Sequence, residues 1–114
     1  MLFRSVSYIK IGNVQLAQGE SAAALKSYQD GLLIAKRLAE SDPRNTLWQR
    51  DLSVSYDKIG NVQVAQGKSA AALKSFQDSL LIAKRLAESD PRNTQWQRDL
   101  IVSYVKLSEV TRVM

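Results

Sequence analysis

Residues 5–48 and 53–96 are one segment written twice. Shifted by 48 positions, 38 of the 44 aligned residues are identical. The exceptions are Ile9/Asp57, Leu16/Val64, Glu20/Lys68, Tyr28/Phe76, Gly31/Ser79 and Leu47/Gln95. Near-identical units bury near-identical faces, so each must pack on its neighbour, and a stacked repeat architecture is the natural outcome.

The punctuation of the unit divides it into two helices. Asp42-Pro43-Arg44-Asn45-Thr46 and Asp90-Pro91-Arg92-Asn93-Thr94 are breakers, because proline disfavours a helical residue before it and Asn or Thr then caps the next helix. Thr46-Leu47-Trp48-Gln49 also fits a capping box. From there Trp48, Leu52, Tyr56, Ile59 and Val62/Val64 recur at helical spacing, and Gly67 marks the stop. Ser69 is the expected N-cap of a second helix, whose inner stripe is Ala72, Leu73, Phe76, Leu80, Ala83 and Leu86/Ala87.

The spacing therefore predicts an all-α fold: an α-solenoid of antiparallel helix pairs, with helices over 2–18, 21–41, 46–66, 69–89 and 94–112. It is one domain over 1–114, with repeat 1 at about 1–45, repeat 2 at about 46–93 and a capping helix at about 94–114. Trp48 and Trp96, at helix starts, read as wedges between repeats.

Composition removes several chemistries. With no Cys and no His, thiolate and imidazole ligands are absent, and neither a metal nor another cofactor is expected. The longest apolar runs, such as Leu80–Ala83, fall far short of the ~20 residues that span a bilayer. The N-terminal stretch lacks the continuous apolar centre of a signal peptide, and a cytoplasmic location is expected. Net charge is +5, which favours acidic partners at long range, although a solvated surface is the simpler account. Lys36, Arg37, Lys84, Arg85, Arg44, Arg50, Arg92 and Arg98 could form a basic ridge. Glu40, Asp42, Asp51, Glu88, Asp90 and Asp99 interleave with them, which disfavours nucleic acid as the partner. Ser7-x-x-Lys10, Ser55-x-x-Lys58 and Ser103-x-x-Lys106 match the bare Ser-x-x-Lys of acyl-transfer enzymes. A catalytic centre does not come in triplicate without its companion motifs, so no enzymatic activity is expected.

At Tyr56-x-x-Ile59-Gly60 and Ala72-x-x-x-Phe76 the chain resembles the tetratricopeptide repeat, W-x2-L-G-x2-Y followed by A-x3-F and P. The first unit repeats the match with Tyr8, Ile11, Gly12, Gly19, Ala24 and Tyr28. Gln63 departs from the pattern's Tyr, and the unit is 48 residues against the family's about 34. The excess falls as seven residues in each helix at one end of the hairpin, almost two turns apiece, so the helix contact keeps its register. Such extended units resemble repeats of multidomain bacterial signalling proteins.

The resemblance implies a concave groove, lined by the first helix of each pair, that grips a protein or peptide. Carried over, the groove would take Val6, Ile9, Lys10, Asn13 and Leu16 from the first helix. Val54, Asp57, Lys58, Asn61 and Val64 would come from the third, and Val102, Val105, Lys106 and Glu109 from the fifth. Lys10, Asn13, Lys58, Asn61 and Lys106 form a ladder of donors suited to peptide backbone and to carboxylates, hence to an acidic partner. A second Lys expected one residue earlier is replaced by Ile9, Asp57 and Val105. Recent duplication alone would also preserve these Lys and Asn residues.

The fifth helix differs in kind. Relative to the third it exchanges Ser53 for Ile101, Asp57 for Val105 and Ala65 for Val113. A terminal helix should become more polar, and this one becomes more apolar, which predicts self-association through Ile101, Val105 and Val113. A homo-oligomeric module without a dedicated peptide ligand is the alternative function.

Overall fold

The computed structural model describes residues 2–114, with side chains from Ser7 onward. The protein is all-α, with five helices: α1 (Leu2–Ala17), α2 (Ser21–Ser41), α3 (Thr46–Ala65), α4 (Ser69–Ser89) and α5 (Thr94–Val113). Each packs on the next in sequence, because every connection is too short to reach anywhere else. None of the helices is long and apolar enough among the described residues to cross a membrane.

The turns form for local reasons that repeat. Gly19 and Gly67 sit at φ 79° and 75°, the left-handed region where a Cβ is strained. In both turns the amide just past the glycine bonds back to the carbonyl five residues earlier: Glu20 to Gln15 and Lys68 to Gln63, each at 2.8 Å. The starts of α3 and α5 are capped by Asn45 and Asn93, whose side chains accept from the Trp48 and Trp96 amides at 3.0 Å. Thr46 is thus the first helical residue and not the cap. Gln49 does not close a capping box either: its amide donates to the Ala39 carbonyl, and Gln97 does the same to Ala87. Both bonds tie the end of one helix to the start of the next. Ser69 is likewise inside its helix, with Lys68 at the cap position making no side-chain bond.

The core is translated along the sequence by the repeat. Ala24, Tyr28, Ile59 and Val62 form one buried cluster, with Ile9 and Leu25 against it. Ala72, Phe76 and Val110, with Leu73 and Leu107 against them, form its copy 48 residues on. Between them lies a third cluster of Ala35, Ala39, Leu52, Ile82 and Leu86, against which Tyr56 and Trp96 pack. Trp96 therefore bridges α5 to a core drawn from both units. Ile82, outside the expected stripe of α4, is 7% exposed, whereas Leu73 and Leu80 are half-buried.

Two glycines set how closely the paired helices approach. A Cβ placed on Gly12 would stand 2.5 Å from the Tyr28 ring, and one on Gly60 would stand 2.6 Å from the Phe76 ring. What Gly60 faces at this distance is an aromatic ring and not backbone. The departure at Gln63 also has a local cause. Its side-chain carbonyl accepts from the Ser75 hydroxyl at 2.7 Å, and Gln15 accepts from Ser27 at the same distance.

Candidate functional site

The residues expected to line a groove do not behave alike. Lys10 is exposed and stands apart from any ion pair among the described residues. Asn13 is engaged: its side-chain carbonyl accepts from the Tyr28 hydroxyl. Ile9 packs into the first core cluster, and the Val6 side chain lies outside the described residues. In the second unit the Tyr is Phe76, so no hydroxyl reaches Asn61. The Asn61 amide has no hydrogen-bond partner among the described residues.

Asn61 and Lys106 instead line one cleft of about 270 Å³ between α3 and α5. Its floor and walls are Phe76, Val64, Val110 and Val113, and Glu109 stands at its edge with Lys106. The cleft offers an apolar seat, a free amide able to donate and accept, and one charge of each sign. Those are the groups that recognise a peptide: backbone by the amide, an apolar side chain by the floor. Lys58, though half-buried, is not among the lining residues.

The Ser-x-x-Lys segments form no Ser–Lys hydrogen bond among the described residues. Ser55 and Ser103 have buried hydroxyls without a partner. No group of three or more His, Cys, Asp or Glu side chains gathers as a metal would require among the described residues.

The expected basic ridge is partly consumed. Arg50 Nε donates to Asp99 Oδ2 at 2.8 Å, and its Nη2 to Oδ1 at 3.4 Å, bracing α3 against α5. The same bracing is missing one repeat earlier, since Leu2 stands 48 positions before Arg50. Asp51, the copy of Asp99, consequently has a buried Oδ2 without a partner, and burial pushes its carboxyl pKa up against the pull of Arg50. A second cleft, of about 300 Å³, lies at the other end of the hairpin among Pro43, Arg44, Thr46, Gln49, Arg85, Leu86 and Ser89.

Asp57, expected in the groove from the sequence, is half-buried, with its Oδ1 enclosed. It replaces Ile9, and the Ser79 beside it replaces Gly31, so two of the six differences between the units belong together. Burial raises the Asp57 pKa above the usual 3.8; the Ser79 hydroxyl, Lys106 and Lys58 oppose this, and Asp99 adds to it. Its Oδ1 is buried without a hydrogen-bond partner. A carboxyl whose folded pKa is raised costs stability once the pH exceeds its unfolded value, and the cost vanishes below that value. Asp57→Asn should therefore raise the melting temperature at pH 7 and change it much less at pH 3. Equal shifts at both pH values would show that the Asp57 charge is not the source.

No family model and no curated protein matches the chain.

Proposed function

We propose that this chain is a protein-interaction scaffold of tetratricopeptide-like solenoid design that takes a partner's peptide segment in the cleft between α3 and α5. The observation that carries the reading is the asymmetry of two equivalent asparagines. Asn13 is tied to the Tyr28 hydroxyl, whereas Asn61, facing Phe76, keeps its amide free in a cleft with an apolar floor. A free amide beside Lys106 and over Val64 and Val110 suits a backbone segment with an apolar anchor and a neighbouring carboxylate. The core repeated at 48 residues and the antiparallel neighbours support the solenoid reading.

A random peptide display library panned on the immobilised protein tests this. The selected peptides should lose about tenfold or more in affinity on Asn61→Ala/Lys106→Ala, the size expected of charge-assisted hydrogen bonds, and little on Lys10→Ala/Asn13→Ala. Phe76→Tyr is the sharper variant. It installs in the second unit the hydroxyl of Tyr28, should engage Asn61, and should weaken peptide binding without loss of melting temperature. Peptides that bind all these variants equally would place recognition elsewhere.

A further inference from the structure

The exposed face of α5 carries a second, independent interaction surface, and we infer that a second copy of this chain covers it, helix α5 against helix α5, antiparallel. Ile101, Val105, Ser108 and Arg112, at steps of four, three and four, form one stripe along the helix. Ile101 is 63% exposed and Val105 48%. Val113, a third of a turn away from Ile101, belongs to the cleft instead.

The matching stripe of α3 is Ser53, Asp57 and Gly60, and α4 covers it: Ser53 lies 2.9 Å from the Ser79 hydroxyl and Gly60 sits under the Phe76 ring. On α5 that glycine has become Ser108. A helix docked on α5 as α4 docks on α3 would drive its aromatic ring onto the Ser108 Cβ, at the 2.6 Å that a Cβ on Gly60 would meet. The apolar stripe thus fits a helix that approaches in another register.

Charge selects that helix. Arg98 and Glu109 lie eleven residues apart, about three turns, on the same flank of the stripe, and neither has an ion-pair partner among the described residues. In an antiparallel pair related by a two-fold axis, equal flanks meet. Placing Ile101 against the partner's Val105 then sets Arg98 beside the partner's Glu109, and the symmetric pair repeats it. One flank therefore supplies two reciprocal ion pairs around a centre of four β-branched side chains. The apolar stripe of Ile101 and Val105 lies on a different face of α5 from the peptide cleft, with Glu109 at the boundary of the two, and the pairing does not depend on that reading.

Sedimentation velocity of the full chain from about 1 to 500 µM tests it, since one helix face per copy makes a small interface whose affinity falls at the weak end. The wild type should pass from monomer to dimer, and Val105→Asp should remain monomeric. Arg98→Glu alone, or Glu109→Arg alone, sets like charges opposite each other and should weaken dimerisation about tenfold or more. An equimolar mixture of these two single variants should recover a heterodimer, because both of its contacts again join opposite charges. The double variant Arg98→Glu/Glu109→Arg should recover a homodimer. Exposed positions leave the fold intact, which circular dichroism checks. A wild type that stays monomeric throughout, or a dimer indifferent to these charge exchanges, overturns the inference.

Discussion

Replacing Phe76 with Ala should cost about 3–5 kcal/mol, the usual loss for a large aromatic removed from a packed interior. Phe76 is 1% exposed and joins Ala72 on its own helix to Val110 on α5, while its ring also lies against Gly60 on α3, so it holds three helices together. Against a total of about 5–15 kcal/mol for a domain of this size, that loss is a large share of the stability. Urea unfolding followed by helical ellipticity measures it directly. The slope of the transition should stay near the wild-type value if the chain still unfolds in one step. A loss below about 1 kcal/mol would mean that the ring does not carry the α4–α5 contact.

Gly60→Ala sets two effects against each other, and the structure decides which wins. In an exposed helix the change would gain about 1 kcal/mol from helix propensity. Here the new Cβ falls 2.6 Å from the Phe76 ring, closer than carbon atoms approach, so a buried ring packed against α3 and α5 must shift to admit it. Overpacking of this kind costs about 1–3 kcal/mol, so the net effect should be destabilising. On the Phe76→Ala background the obstacle is gone, and the same substitution should become stabilising. A reversal of sign between the two backgrounds, read as a coupling of about 1–3 kcal/mol, identifies the ring as the cause. Additive effects would contradict the packing described. Tyr28 and Gly12 form the equivalent contact in the first unit, and the same cycle there should give the same sign.

These contacts also explain why the two units, so alike in sequence, differ in chemistry. The Tyr28/Phe76 exchange leaves the helix approach unchanged, yet it frees one amide in the second unit that the first holds shut. The Ile9/Asp57 and Gly31/Ser79 exchanges put a half-buried carboxylate beside a hydroxyl where the first unit has an apolar side chain in its core. The second unit thereby carries a free amide and an unpartnered carboxylate oxygen at α3, next to the helix that carries the candidate surface between copies.

The choice of Asn45 and Asn93 over the threonines as caps was not legible in the sequence, whereas the five helices, the two glycine turns and the 48-residue translation of the core were. Each depends on periodicity or on the conformational limits of a residue and its near neighbours, which a one-dimensional pattern records. Packing between helices is what sets Gly60 against a ring, Gln49 against the end of the preceding helix, and Gln63 against Ser75. It also separates Asn13 from Asn61, sets Asp57 half-buried beside Ser79, and places Val113 in the cleft. The physical reason is that a hydrogen bond or a steric limit between side chains on different helices is fixed by the distance between their axes. Residue spacing along one helix says which face a side chain takes, and the packed neighbour says what waits there.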